Sequence, residues 1–416
     1  MCIVLYRLVD MFRPLCPNRI QGAFVTILPH DNARMHCTRG AVFWEVLTNS
    51  GRGYFYTLFS WCMRFFMDSY IIKNKEEFLN IIDITEEELK KVLKDKAKAY
   101  HKFKVINKKR NSLRTIHGIV LNSDIYRMQR NLQKYIFNNF YFPSNVYGFI
   151  KHKNYIDYLV PHCTNVGKKY FLRLDIKNFF DTISVDQLQE CLSYYFDEKC
   201  DDNEKRFIID SIISIVTIND KLIQGAITSP SLSNLVFRRL DIRIERFCEN
   251  NNVVYTRYAD DLLFSSYDET AHKNYFLNMI SSILKSYGFR LNYDKTLKMY
   301  DELSINGYVI GKDIRLSRKK YEAVNYVLFY LEKNNTSNPM SRSFKYTLIN
   351  LLAGYRSLFI QVLRNTNDEK RKTALKKKIS RIEKGIDQLI ETNDSTNMAK
   401  KTNETKILSE IYYRKK

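Results

Sequence analysis

Two adjacent aspartates interrupt an otherwise apolar stretch, and this feature constrains the fold of the chain more than any other. Asp260 and Asp261 lie between two short runs rich in β-branched and aromatic residues, in the sequence VVYTRYADDLLFSS. The pattern predicts a two-stranded hairpin that buries its sides and places the acids at its tip. Carboxylates at such a tip require water or cations. The segment therefore predicts either a cation site or a plain acidic turn.

A second segment places a further carboxylate at the end of a strand. Asp175 closes the apolar run of residues 170–176 and is followed by two aromatics, in the sequence FLRLDIKNFFD. Beside the hairpin, this acid could complete a site for two Mg²⁺ ions about 4 Å apart, as phosphoryl transfer requires. Hard oxygen ligands suit Mg²⁺. The alternative role for Asp175 is the N-cap of the helix that follows.

A third segment combines a glycine turn with hydroxyl residues and a proline at a helix start. It begins at Gln224 and Gly225 and has the sequence QGAITSPSLSN. Such a turn lets the backbone approach a ligand closely, although on its own it indicates only a well-capped helix.

The charge balance favours a polyanionic partner. The chain has 67 Lys and Arg against 45 Asp and Glu, for a net charge of +22. This excess indicates nucleic acid or an anionic membrane surface. The 8 cysteines include no C-x-x-C pair, so a zinc ribbon is excluded and free thiols in a reducing compartment are expected. No apolar run approaches the roughly 18 residues of a membrane span, and no membrane partner is expected.

Hydrophobic periodicity predicts an α+β fold. Predicted helices cover residues 75–93, 123–140, 210–216, 231–250 and 272–287, and a further helix begins near Ser184; a capping box is predicted at Thr85. Predicted strands cover 99–106, 115–121, 170–176, 253–258 and 262–266, and another strand begins at 290–292. From residue 170 the order is that of a split βαβ unit. The last hundred residues are predicted to be helical and basic, and residues 393–416 a frayed tail.

In this order, the three segments resemble the reverse transcriptase family, specifically its bacterial retron and group II intron branch. The resemblance spans residues 68–363. Further stretches match the family in sequence order: YHKFKVINKKRNSLRTI, VYGFIKHKNYIDYLVPH, GFRLNYDKTLKM and LLAGYRSL. The family implies a right-hand polymerase with fingers at 67–168, an RRM-like split βαβ palm with an antiparallel sheet at 169–312, a helical thumb at 313–392 and a basic tail at 393–416. Residues 1–66 are an atypical extension, or else upstream sequence preceding a start at Met63 or Met67.

The resemblance also implies roles for individual residues. Asp175, Asp260 and Asp261 would bind the metals together with the backbone carbonyl of Ile176. Phe180 would be the steric gate that excludes a ribose 2′-hydroxyl, unless it is a core aromatic. Lys109 (or Lys108) and Arg114 would clamp the triphosphate, with a solvated basic loop as the alternative. Gln224 and Gly225 would shape the nucleotide pocket, and Lys295 would protonate pyrophosphate or lie on the surface.

By the same resemblance, the protein would be an RNA-directed DNA polymerase of the bacterial cytoplasm. It would use two Mg²⁺ ions, with Mn²⁺ as a substitute, to add dNTPs to a primer 3′- or RNA 2′-hydroxyl. Its partners would be a template RNA, usually a cognate noncoding RNA, the RNA–DNA duplex and an unknown effector protein in antiphage defence. Alternatives are DNA-templated or untemplated synthesis and a non-catalytic RNA-binding role. Retron enzymes carry N-A-x-x-H and V-T-G where this chain has YLVPH and ING, which weakens assignment to a true retron.

Overall fold

A computed structural model describes Ile72 and residues 74–107, 112–196, 200–333, 340–391 and 404–411, together with three strands nearer the N-terminus. Side chains are not described in those three strands or at 105–107 and 112–116. The chain divides into two compact units, Met1–Ser69 and Tyr70–Lys416. In the first unit, β1 (Ala33–Thr38), β2 (Ala41–Thr48) and β3 (Gly51–Tyr54) form an antiparallel sheet.

The second unit begins with helices and one long hairpin. Helices α1 (Lys75–Ile82) and α2 (Glu86–Lys94) replace the single helix predicted over 75–93, because Asp83 adopts a left-handed φ of 57° between them. The predicted capping box at Thr85 is confirmed. Strands β4 (Tyr100–Asn107) and β5 (Ser112–Ile119) correspond to the strands predicted over 99–106 and 115–121 and pair antiparallel, and helix α3 (Asp124–Tyr135) follows. The tip of this hairpin, 108–111, lies outside the described residues.

A four-stranded antiparallel sheet occupies the centre of the unit. Its strands β6 (Tyr170–Asp175), β9 (Val254–Tyr258), β10 (Asp261–Ser266) and β11 (Leu297–Tyr300) lie in the order β11-β6-β10-β9. This is the predicted split βαβ arrangement, and the expected α+β right-hand polymerase fold is confirmed. The helices of this region are α4 (Tyr155–Leu159), α5 (Phe179–Thr182), α6 (Val185–Ser193), α7 (Asp202–Val216), α8 (Ser229–Asn250) and α9 (Asn274–Lys285), with the short hairpin β7 (Thr217–Ile218) and β8 (Lys221–Leu222) between α7 and α8.

The fourth strand differs from the prediction that it begins at 290–292. Leu291 makes only an isolated bridge with Ile176. The backbone N–H of the next residue, Asn292, donates to the Asp175 carbonyl, and the chain then turns through a 3₁₀ segment at Tyr293–Lys295 before β11 begins. The turn places Lys295 beside Asp175 instead of in the sheet.

The C-terminal part is a short sheet and three long helices around one apolar core. Its elements are β12 (Leu303–Ile305), β13 (Tyr308–Ile310), β14 (Arg315–Leu316), α10 (Arg318–Lys333), α11 (Arg342–Asn365) and α12 (Glu369–Glu391). The frayed tail predicted for 393–416 is wrong at residues 404–411, which form a helix with Ile407 and Ile411 buried in this core. Within the described segments, no helix has the length and apolarity needed to span a bilayer.

Candidate active site

Three aspartates lie at one end of the central sheet. Asp175, the last residue of β6, lies directly opposite Asp261, the first residue of β10, in the antiparallel register. Directly opposed residues have Cβ atoms about 4.5–5.5 Å apart, so both carboxylates share one face. Asp260 lies in the turn, and its carbonyl accepts a 3.0 Å hydrogen bond from the Ile176 N–H. The turn is tight because Ala259 adopts a left-handed φ of 56°.

Cationic and amide side chains engage two of the three acids. Arg173 donates from Nε at 3.1 Å and from one terminal nitrogen at 2.8 Å to both carboxylate oxygens of Asp261. Lys295 forms an ion pair with Asp175, and Asn292 Nδ2 donates to the same carboxylate at 3.2 Å. Charge-assisted and bidentate contacts of this kind are strong and directional. They hold the acids in place and offset their mutual repulsion.

The repulsion is visible at Asp261. Burial raises the pKa of this carboxyl, Arg173 opposes that effect, and the negative charges of Asp260 and Asp175 raise the pKa further. Adjacent carboxylates repel in this way unless cations neutralise them. The sheet end is therefore an electronegative site that favours the binding of additional positive charge.

The donor set fits a magnesium site. Carboxylate oxygens on adjacent strand ends are the hard ligands that Mg²⁺ prefers, and Asp175, Asp260 and Asp261 with the Ile176 carbonyl would hold the ions. Across the part of the chain that the structure describes, no three His, Cys, Asp or Glu side chains are already gathered as a ligand cluster. In this structure Arg173 and Lys295 contact carboxylate oxygens that an ion would use.

A buried ion pair joins the β9–β10 hairpin to helix α8. Arg257 of β9 and Asp241 of α8 are both fully buried and form a bidentate pair at 2.8 and 2.7 Å. The remaining Arg257 nitrogen donates to Asn234 Oδ1 at 3.0 Å and to the Ala259 carbonyl at 3.1 Å. Because Ala259 precedes Asp260, this guanidinium ties α8 to the acidic turn.

The loop before the sheet contacts the same turn through a glycine. A Cβ added at Gly148 would lie 2.3 Å from the Ala259 nitrogen, far inside van der Waals contact. Asn234 Nδ2 donates to the Gly148 carbonyl at 2.8 Å, and the Tyr147 N–H donates to the Arg257 carbonyl at 2.9 Å. Gly148 is therefore required by close backbone approach.

The expected nucleotide-binding residues lie on several elements. Phe180 is half-buried in α5, with Phe179 at a ring-centroid distance of 5.4 Å. The Gln224 carbonyl accepts a hydrogen bond from the His117 N–H of β5, which joins the hairpin to the loop, and Gly225 is exposed with a φ of 107°. Lys108 and Lys109 lie outside the described residues, and only the backbone of Arg114 is described.

Sequence reasoning assigned no role to Arg173, Arg257 or Gly148. The signal for the two arginines was available: each interrupts an apolar strand, and a buried charge requires a partner. The partners could not be identified, because they depend on strand register and on helix packing. His162, the last residue of the YLVPH stretch, has a structural role. It is fully buried between Thr256 and Ser265, and burial lowers its pKa to about 3.

The sequence of this chain is similar to those of known proteins. The family model described as reverse transcriptase (RNA-dependent DNA polymerase) matches residues 106–346. The retron Ec86 reverse transcriptase of Escherichia coli is 28% identical over 44% of this chain and 55% of its own length. The retron Ec48 enzyme of Escherichia coli is 26% identical over 56% of this chain and 62% of its own length. The chain thus spans somewhat more than half the length of these relatives.

Similarity to solved structures is more distant. The telomerase of Candida tropicalis in complex with a telomeric RNA fragment is 14% identical, over 74% of this chain and 57% of that one, with a TM-score of 0.40. That value is too low to support an inference about function. The match to the family model covers more than half of the chain. The chain therefore belongs to the reverse transcriptase (RNA-dependent DNA polymerase) family, and its curated relatives are of the bacterial retron type.

Proposed function

We propose that this protein is an RNA-directed DNA polymerase that adds deoxynucleotides by two-metal nucleotidyl transfer. One observation carries the proposal: Asp175 and Asp261 are paired across adjacent strands, and Asp260 lies in the β9–β10 turn directly before Asp261. Membership of the family supplies the reaction class, and the acids at the sheet end supply the ligands that this reaction requires.

The aspartates have the role of ligands and the surrounding side chains hold them in position. Bound at Asp175, Asp260 and Asp261, two Mg²⁺ ions, or Mn²⁺ as a substitute, would activate the attacking hydroxyl and neutralise charge on the pyrophosphate. Arg173 keeps the Asp261 carboxylate in one orientation. Lys295 forms an ion pair with Asp175. Once Asp175 binds a metal ion, Lys295 would be free to donate a proton to the departing pyrophosphate.

Phe180 and the residues around it would select the nucleotide. Its ring would lie against the sugar and exclude a ribose 2′-hydroxyl, so that dNTPs are preferred. Gln224 and Gly225 would line the nucleotide pocket on the side of the base. Their loop is joined to the β4–β5 hairpin by the hydrogen bond from the His117 N–H to the Gln224 carbonyl. Lys109 (or Lys108) and Arg114 would contact the triphosphate from that hairpin, as the family resemblance implies.

The helical C-terminal part would hold the primer–template duplex. Helix α12 buries Leu375, Ile379 and Ile382 and exposes a series of basic side chains. These are Lys370, Lys376, Lys377, Arg381 and Lys384. Lysine and arginine that follow phosphates make binding strong and dependent on salt concentration. This arrangement supports a thumb that contacts an RNA–DNA duplex.

The proposed biological role rests only on sequence similarity to the curated relatives. The curated relatives are named as retron reverse transcriptases, which supports a cognate noncoding RNA as template and primer, with extension from a 3′- or 2′-hydroxyl. A bacterial cytoplasmic location, a role in antiphage defence and an effector protein partner complete the proposal. Sequencing the RNA that copurifies with the protein from its bacterial host tests the first of these points.

Incorporation of dNTPs by the purified full chain is the test of the activity. We expect synthesis on an oligo(dT)-primed poly(rA) template with Mg²⁺, and none when the template is omitted. Asp260→Ala should abolish incorporation and leave binding of the labelled template unchanged, because the side chain contributes to chemistry and not to phosphate contact. Asp186→Ala, which alters an exposed acid in the first turn of α6, is the matched control.

Two results would contradict the proposal. Equal incorporation by Asp260→Ala and the unaltered chain would exclude the aspartates as the metal site. Equal incorporation with and without template would instead indicate untemplated synthesis.

A further inference from the structure

Phe149 has a backbone conformation that large side chains avoid. Its φ is 63°, in the left-handed region where a Cβ meets the following carbonyl oxygen, and its side chain is 44% exposed. Burial of the ring therefore does not account for the conformation. Strain of this kind persists only where the surroundings impose it, and it concentrates at functional sites.

The surrounding loop imposes this conformation. Lys153 Nζ donates to the carbonyls of Ser144 and Val146 at 2.9 and 2.8 Å, which closes the loop on itself. Val146 also bridges to Arg257 of β9. Gly148, the residue before Phe149, is fixed by the Asn234 amide and by its contact with the Ala259 backbone. The strained residue is thus anchored to the hairpin that carries the catalytic acids.

The Phe149 ring faces Phe180. Their ring centroids are 6.2 Å apart and the planes are inclined by 54°, within the range of attractive aromatic pairs. Phe180 also contacts Phe179 at 5.4 Å, and Phe179 is buried against Phe237 and Phe289. Phe180 therefore contacts both Phe179, which is part of a packed aromatic cluster, and the exposed Phe149.

The geometry points to Phe149 as a positioning residue that sets sugar selectivity by confining the ring of Phe180. This inference rests on the proposed polymerase function and on Phe180 as the residue that contacts the sugar. With Phe149 in place, Phe180 cannot turn away from the incoming nucleotide without losing an aromatic contact. Without the Phe149 ring, the Phe180 side chain loses this contact and gains rotational freedom, so that a 2′-hydroxyl can be accommodated.

The test compares ribonucleotide with deoxynucleotide incorporation in the full chain. Phe149→Leu should raise the ratio of kcat/KM for rNTP over dNTP about tenfold, a size typical of a changed apolar pocket wall. The change should lie mainly in a lower KM for the rNTP, with kcat for dNTP within about threefold of the unaltered chain. Phe149→Tyr keeps the ring and should keep the original ratio. Phe329→Leu makes the same substitution at a phenylalanine of α10 that is 53% exposed, and should leave the ratio unchanged.

Phe149→Gly separates the ring from the backbone. Glycine adopts a φ of 63° without steric cost, so this variant should fold with an unaltered or higher thermal midpoint and still lose selectivity as Phe149→Leu does. An unchanged rNTP-to-dNTP ratio in both the Leu and Gly variants would overturn the inference and leave the polymerase proposal intact. Absence of dNTP incorporation by the unaltered chain would overturn both.

Discussion

Arg173 donates hydrogen bonds to both carboxylate oxygens of Asp261 on the neighbouring strand. Arg173 lies on β6, two residues before Asp175. Strand register sets the spacing: Arg173 and Asp175 point to the same face, and Asp261 lies opposite Asp175. The contact supplies both a fixed geometry and a positive charge. Two substitutions separate these contributions.

Arg173→Lys should reduce the rate of dNTP incorporation about tenfold or more at saturating Mg²⁺, within the range found for residues that orient metal ligands. Lysine keeps the charge but cannot make the planar, bidentate contact. Arg173→Gln removes the charge as well. The guanidinium lowers the pKa of Asp261 against the effect of burial, so its loss should raise that pKa further. On acidification, incorporation by Arg173→Gln should therefore begin to fall at a higher pH than incorporation by Arg173→Lys.

The measurement is a pH–rate profile for each variant at fixed, saturating Mg²⁺. The acid limb should move to higher pH in Arg173→Gln and stay in place in Arg173→Lys. Superimposable profiles would show that the arginine charge does not act on Asp261. A rate for Arg173→Lys equal to that of the unaltered chain would show that the bidentate geometry is dispensable.

Gly148→Ala should displace the acidic turn. The added methyl would lie 2.3 Å from the Ala259 nitrogen, so either the loop or the hairpin must move. A misplacement of about 1 Å at a catalytic group costs on the order of a hundredfold in rate. We expect a loss of that size in incorporation, with a circular dichroism spectrum like that of the unaltered chain.

Gly354→Ala is the matched control. Apart from the adjoining residues and the backbone of its own helix, no heavy atom lies within 4 Å of a Cβ at this position, which is inside α11. Alanine in a helix interior is favoured over glycine by about 0.5–1 kcal/mol, so this variant should be slightly more stable and equally active. Equal activity of both variants would mean that the hairpin tolerates movement.

The central sheet could be predicted because its information is local. Each strand is a short apolar run, and an acid stands at the end of β6 and at the start of β10. The counter-charges could not be predicted in the same way. Which acid Arg173 contacts depends on strand register, a property of the paired strands and not of either sequence alone.

The remaining differences also have tertiary causes. Residues 404–411 lack a strong local helix signal, yet they are helical because Ile407 and Ile411 fill the core and Ser341 donates to Glu404. The strand expected from Arg290 begins instead at Leu297, since the intervening turn satisfies the Asp175 carbonyl and carboxylate. The left-handed conformation of Phe149 contradicts its own preference, so no local pattern predicts it.

The buried pair of Arg257 and Asp241 should be critical to stability. Asp241→Asn leaves a fully buried guanidinium without its counter-charge, which costs about 3–5 kcal/mol in free energy of unfolding. Urea denaturation followed by fluorescence should show this as a lower midpoint. Glu383→Gln breaks the half-exposed pair with Arg356 between α11 and α12 and should cost less than about 1 kcal/mol. Similar losses in the two variants would contradict a special role for the buried pair.

Glu245 of α8 should make stability depend on pH with a sign opposite to that of a salt-bridged acid. Burial, followed by the charges of Glu249 and Asp241, raises its pKa from 4.5 to about 7. The folded state therefore binds this proton more tightly than the unfolded chain does. Near pH 4 both states are protonated and the site has no net effect. Between pH 4.5 and 7 its contribution becomes increasingly unfavourable, and above pH 7 the full penalty applies.

Glu245→Gln should remove that penalty, because an amide has no charge to desolvate. The variant and the unaltered chain should have equal stability at pH 4, whereas at pH 8 the variant should be more stable by about 1 kcal/mol, a value reduced for the partial exposure of the side chain. Urea midpoints at both pH values provide the measurement. Glu249→Gln removes only the neighbouring charge and should give a smaller gain at pH 8. A gain in Glu245→Gln of the same size at pH 4 would show that improved packing, and not loss of a buried charge, stabilises the variant.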